Sequence, residues 1–195
     1  MIRTFKTALA SLALASSLLL AGSIVADAAA VNDVVHAGPG GAPIGFIVAD
    51  GAPNSSITGS TSETVLAYIK IPGGTLGRNS NIQVDTLWNF TGTAGTKTRK
   101  IYLNSSAAAA GTAYLNNAGA AGDLSSYMTT AIYNNNSVSA QIGGLTTGSH
   151  GQSTAAALPT GTINTANDCY IVITATLANA ADSAVLAAYD VTINP

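Results

Sequence analysis

The chain has 195 residues, of which 8% are charged and 47% hydrophobic, with 20 glycines and a formal net charge of -2. Soluble domains average about 25% charged residues, so the water-facing surface must be built from Thr, Ser, Asn and Gly, as suits an exported module or an assembled particle. The length fits one domain, at roughly 100 to 200 residues each. The scarcity of basic side chains excludes a nucleic-acid face, and the single cysteine, Cys169, excludes an internal disulfide or a multi-thiolate metal site.

Arg3 and Lys6 precede an apolar run over residues 7–25, and Ala26-Asp27-Ala28 then offers the small-residue spacing a signal peptidase accepts. Residues 1–30 are therefore read as a cleaved secretory signal. The alternative is a retained hydrophobic arm that spans a membrane marginally or packs into an oligomer, since its apolar length approaches the roughly 20 residues of a spanning helix. Ser23 stands where a lipoprotein box needs cysteine, which argues against a lipid anchor. Residues 31–56 contain Gly38-Pro39-Gly40-Gly41-Ala42-Pro43, which breaks any regular element, followed by an apolar strand candidate at 44–48. They read as an extended arm, and the folded domain is assigned to 57–195.

Clear alternation begins at Thr64. Val65, Ala67, Ile69 and Ile71 fall on one face of a strand and Leu66, Tyr68 and Lys70 on the other, closed by Pro72-Gly73-Gly74. The next strand, 81–90, places Ile82, Val84, Trp88 and Phe90 on one side and Gln83, Asp85 and Asn89 on the other, with Thr86 and Leu87 blurring the period. A face ending in Trp and Phe has to be covered, which makes Trp88 a core anchor. The loop 91–96 leads into a strand at 98–103, and the two strands are expected to pair as an antiparallel hairpin. Lys97, Arg99 and Lys100 form the one positive cluster and read as a solvated strand edge.

A short strand is expected near 112–115, framed by Gly111 and Asn116-Asn117, and two more at 127–133 and 137–142 around Asn134-Asn135-Asn136, residues that tolerate left-handed turns. Residues 143–167 read as a long polar loop. Two closing strands, 168–177 and 183–193, form a last hairpin, in which Cys169 reads as a buried small hydrophobe. About eight short strands without helix specify an all-β, antiparallel β-sandwich, jelly-roll-like rather than immunoglobulin-like in strand order.

The run from Thr64 to Val84, TVLAYIKIPGGTLGRNSNIQV, together with Leu87-Trp88, the segment Lys97-Thr-Arg-Lys-Ile-Tyr-Leu and the closing Leu177-Ala-Asn-Ala-Ala-Asp182, resembles a pattern in bacteriophage virion β-sandwich proteins. In that pattern a strand ends in an Ile-Pro-Ala-Gly-Thr-Leu-Gly-type turn, a second ends near Trp, and a Lys-rich hairpin partner follows. The resemblance covers roughly 57–195. It implies a structural role in head decoration, a fibre or a tail-associated module, with partners in the same chain, expected as a homotrimer, and in other virion proteins. The secretory-type amino terminus departs from that pattern and leaves a secreted or cell-surface protein of the same fold as the alternative.

Signals for catalysis are sparse. His36 and His150 lack the spacing of a metal-binding helix, and the adjacent Ser149-His150 point apart on a strand or turn, unlike a nucleophile and its base. No Gly-x-Ser-x-Gly elbow occurs. The acids Asp85, Asp123, Asp168, Asp182 and Asp190 are scattered; Asp168 and Asp182, flanking the last hairpin, come nearest to a calcium pair, yet aspartates at strand ends are ordinarily solvated. No metal, cofactor or catalytic residue is assigned, and the reading is non-enzymatic. Tyr68, Tyr102, Tyr114, Tyr127 and Tyr133 are the candidates for an interaction face, to be covered by copies of the chain or by a glycan.

Overall fold

The computed structural model describes residues 46–92, 95–144 and 157–194; the expected signal or arm at 1–30, together with His36 and His150, lies outside them. These residues form eleven strands and no helix: β1 Phe46–Gly51, β2 Ser55–Thr58, β3 Thr64–Ile71, β4 Asn81–Thr91, β5 Lys97–Asn104, β6 Ala113–Ala118, β7 Ser125–Asn134, β8 Gln141–Gly143, β9 Thr160–Gly161, β10 Cys169–Leu177 and β11 Ser183–Asn194. Two antiparallel sheets result. The larger runs β1-β11-β4-β7-β8-β9, with β2 also on β11, and the smaller runs β3-β10-β5-β6. The strand candidate in the arm becomes β1, which pairs with β11 from Phe46↔Ile193 to Gly51↔Tyr189. Residues 46–56, read from the sequence as arm, thus contribute to the edge of the larger sheet.

Period-two alternation puts one face of each sheet into a shared core. From β4 come Ile82, Val84, Trp88 and Phe90, from β5 Ile101 and Leu103, from β10 Ile171, Ile173 and Leu177, and from β11 Leu186, Val191 and Ile193, all buried. At roughly 1.5–3 kcal/mol for each large apolar side chain taken from water, this layer is the main source of stability. Trp88 is fully buried and stacks on Phe90 with centroids 6.3 Å apart. The blur at Thr86 and Leu87 resolves simply: Thr86 faces the core, where its hydroxyl donates to the Met128 carbonyl, and Leu87 faces water. On β3, Leu66 is buried although the alternation put it outside, because the register against β10 shifts there, between Val65↔Thr174 and Ala67↔Ile173.

Three expectations are corrected. β4 and β5 are not a hairpin: β4 pairs with β11 and β7 in the larger sheet, and β5 with β10 and β6 in the smaller. β10 and β11 likewise lie in different sheets. Five linking residues in each case reach across the roughly 10 Å between packed sheets as readily as they close a hairpin, and each strand finds its apolar neighbours that way. As a result Asp168, at the start of β10, and Asp182, at the start of β11, occupy opposite ends of the sandwich and serve different lysines, Lys70 at 2.6 Å and Lys97 at 3.2 Å.

Lastly, Lys97 and Arg99 are not a solvated edge. They share the parity of Ile101 and Leu103 and point into the core, at 3% and 2% exposure. The Arg99 guanidinium lies 5.1 Å over the Phe90 ring and donates through Nη2 to Asn117 Oδ1, while its Nε and Nη1 find no partner among the described residues. Burial lowers its pKa, opposed by the charge of Asp123.

The two ends of the sandwich are closed differently. At one, β4 to β5 and β10 to β11 make adjacent arches, as the pairings Thr91↔Ser183 and Lys97↔Leu177 require, and Asp182 sits between them. At the other, buried amides tie the loops. Asn134 Nδ2 donates to the Gly77 carbonyl at 2.7 Å and to Thr165 Oγ1 at 3.0 Å, and Gln141 donates to Asn134 Oδ1 and to the Ile163 carbonyl while accepting from the Ile163 N–H. Asn136 takes a left-handed φ of 53° in the β7–β8 turn, as its residue type allows.

Candidate functional site

The outward residues of the larger sheet form rows across its strands. Leu87 of β4 lies opposite Tyr127 of β7, Asp85 lies between Thr129 of β7 and Asp190 of β11, and Asn81 lies opposite Tyr133. Tyr127 is 68% exposed, Leu124, just before β7, is 74% exposed, and Leu87 and Tyr133 are each 45% exposed. Apolar side chains of this size on the solvent side of a strand are uncompensated surface, and they gather along β4 and β7. Tyr127 and Tyr133, six residues apart on one strand face, stand about 20 Å apart at the usual rise.

Between them runs a polar centre. Asp85 and Asp190 face each other across neighbouring strands, an arrangement that costs stability through like charge. Each carboxylate keeps a local donor, Gln83 Nε2 to Asp85 Oδ2 at 3.0 Å and Thr192 Oγ1 to Asp190 Oδ1 at 3.2 Å. Desolvation raises the Tyr127 hydroxyl pKa, and the charge and hydrogen bond of Asp85 and the charge of Asp190 raise it further. The Tyr127 hydroxyl thus stands beside the Asp85 and Asp190 carboxylates. The face can offer an aromatic platform, a leucine and acceptor oxygens, and among the described residues no lysine or arginine lies on the strands that form it.

The other sequence candidates lie elsewhere. Tyr68 is on the outer side of β3, edge-on to Tyr170 of β10 with centroids 6.5 Å apart. Tyr102, on the same side of the smaller sheet, is buried: its hydroxyl donates to Glu63 Oε1 at 2.8 Å, and Glu63 also accepts from Thr174 Oγ1 at 2.6 Å and Lys100 Nζ at 2.8 Å. Burial pushes the Glu63 carboxyl up, but hydrogen bonds from Lys100, Thr174 and Tyr102 together outweigh it and hold the pKa below 4.5. Tyr114 points inward, where its ring lies over the backbones of Gly143 and Gly161, and burial pushes its hydroxyl up to about 12. Tyr102 and Tyr114 are thus removed from the expected face, the first because Glu63 folds over it and the second because β6 turns it inward. Tyr127 and Tyr133 share a sheet face; Tyr68 lies on the other sheet.

Sequence reasoning missed Leu87, Leu124, Glu63 and Tyr170. For Leu87 the signal was present, since an apolar residue at a solvent-facing position had broken the period of β4. Glu63 gave none, because its partners are 37 to 111 residues distant. Among the described residues no three His, Cys, Asp or Glu side chains meet as a metal-binding group. Cys169 is buried, and desolvation followed by the charge of Asp168 pushes its thiol up to about 11. No family model matches the chain, and neither a curated protein nor a solved structure matches it.

Proposed function

We propose that the chain is a non-enzymatic structural module that works by packing against copies of itself and against a surrounding lattice, as in a virion component of the decoration, fibre or tail-associated kind. The observation that carries this reading is the outer face of the larger sheet, where Leu87, Tyr127 and Tyr133 are exposed along β4 and β7. Large exposed apolar groups collected on one face mark contact surfaces. Two further features favour it. The low overall charge leaves little to repel close-packed copies, and the strand order supports a jelly roll: β2-β11-β4-β7 opposite β3-β10-β5-β6 is an eight-strand double-sheet arrangement in which all but one of the successive connections along these strands change sheet.

The test is native mass across a concentration series. The reading expects an oligomer, a trimer on the resemblance to virion sandwiches, and expects Leu87→Asp to shift it to monomer without lowering the melting temperature of the monomer. A wild-type chain that stays monomeric at all concentrations, alone and with its natural particle fraction, rejects it. A second reading, a secreted or cell-surface glycan-binding module, is favoured by one observation: two exposed tyrosines on one sheet face flank carboxylates, side-chain amides and hydroxyls, groups able to stack on and hydrogen-bond sugar rings. Retention of the wild-type monomer on an insoluble polysaccharide, lost in Tyr127→Ala, selects it.

A further inference from the structure

The adjacent arches enclose Lys97 and Asp182, a buried pair on which the proposed assembly role does not depend. Asp182 is fully buried, Lys97 is 3% exposed, and Nζ lies 3.2 Å from Oδ2. The surroundings hold both groups tightly. Lys97 Nζ also donates to the Gly95 carbonyl at 2.9 Å. A side chain at Gly92, which has φ +112°, or at Gly95 would collide with the Asp182 carboxylate, so two glycine backbones press on its oxygens and keep water away. Backbone bonds from Asp182 N–H to the Asn179 carbonyl at 3.0 Å and from Ala178 N–H to the Thr96 carbonyl at 2.9 Å fix the arch that carries Asp182 onto the strand that carries Lys97.

We infer that Lys97 and Asp182 are the partners of an intramolecular isopeptide bond, formed by condensation of the ammonium and the carboxylate with loss of water. Two physical terms favour the reaction at this place. A buried ion pair carries a desolvation penalty of several kcal/mol per ion, which a neutral amide does not, so the site destabilises the reactants relative to the product. Fixed positioning supplies the rest, because groups held at about 3–3.5 Å react with effective molarities on the order of 10⁵–10⁸ M.

The step balances within the pair. One proton passes from Nζ to Oδ2, giving neutral amine and carboxylic acid; the amine lone pair attacks Cγ; the hydroxyl then leaves with a second nitrogen proton as water. One N–H remains on the amide, and no oxidant, reductant or further reactant is consumed. The bond joins the start of β5 in one sheet to the start of β11 in the other, in a chain whose only cysteine is buried and free. It would therefore do what a disulfide cannot do here.

Peptide mapping by mass spectrometry of the wild-type full chain decides the matter, with trypsin applied after denaturation. The inference expects no cleavage after Lys97, so that peptide 79–99 appears joined to the peptide beginning at Ile101, the pair lighter by one water than the sum of its parts. Lys97→Met and Asp182→Ala should each abolish the joined species. Wild-type chain that yields a free peptide ending at Lys97 and an unmodified partner peptide overturns the inference, whether or not either variant folds.

Discussion

At the amide end of the sandwich, Asn134, Gln141 and Thr165 hold three loops with neutral hydrogen bonds that satisfy one another; at the arch end, the corresponding place is taken by ionisable side chains, Lys97, Arg99 and Asp182. A chain sparing in charge still commits ionisable side chains to its interior, Lys97 and Asp182 beside the backbones of Gly92 and Gly95, and Arg99 over the Phe90 ring. A neutral network costs little when complete, and losing one member costs the desolvation of the partners it leaves behind. A buried charge fails abruptly, because removing its partner leaves an ion in a medium that cannot solvate it.

Breaking the arch end should produce the largest effect. Asp182→Ala, which removes the carboxylate from beside buried Lys97, is expected to cost about 3–5 kcal/mol in chemical denaturation, and a loss below that of any amide-end variant would reverse the comparison. Trp88→Ala removes the stacked ring beside Phe90 and should cost roughly 3–5 kcal/mol; because it leaves an apolar void, the loss should not depend on salt or pH. At the amide end, Asn134→Ala should cost about 1–3 kcal/mol, the penalty for leaving buried groups such as the Gly77 carbonyl and the Gln141 amide short of a partner.

The two outer faces give smaller and sharper tests. Glu63 has its pKa lowered in the folded chain relative to 4.5, so its contribution is present above that value and is lost as pH falls through the depressed folded pKa. In Glu63→Gln the acid limb of the stability curve should flatten, as read by melting temperature against pH, whereas an unchanged limb would remove Glu63 from the account of the smaller sheet's outer side. Smallest of all is Lys70→Ala. The pair with Asp168 is about half exposed on both sides, solvent screens it, and the denaturation midpoint should not move.

Much of the fold was legible because period two survives in almost every strand: 64–71, 81–91, 97–104, 125–134, 169–177 and 183–194 lie within a few residues of where alternation and turn residues put them. What alternation does not encode is which sheet a strand joins. β4 to β5 and β10 to β11 read as hairpins because their loops are short, and the partners that draw them apart, β11 for β4 and β5 for β10, lie more than sixty residues away in sequence. Lys97 and Arg99 show a different failure. Their parity with Ile101 and Leu103 placed them on the core face, and the expectation that cations stay in water overrode it. Of the candidate face, Tyr127 and Tyr133 were legible as exposed aromatics, but Tyr102 and Tyr114 carry the same local pattern and differ only in what Glu63, Gly143 and Gly161 bring to them from afar.

The most direct test of the central claim is hydroxyl-radical footprinting of the native protein at assembling and at dilute concentrations, read at single residues. The outer face of the larger sheet should become protected on assembly, with Leu87, Tyr127 and Tyr133 losing reactivity several-fold while Tyr68 and Tyr170 on the opposite sheet do not change. Equal reactivity of Tyr127 and Leu87 in the two states, with protection appearing elsewhere or nowhere, would contradict it.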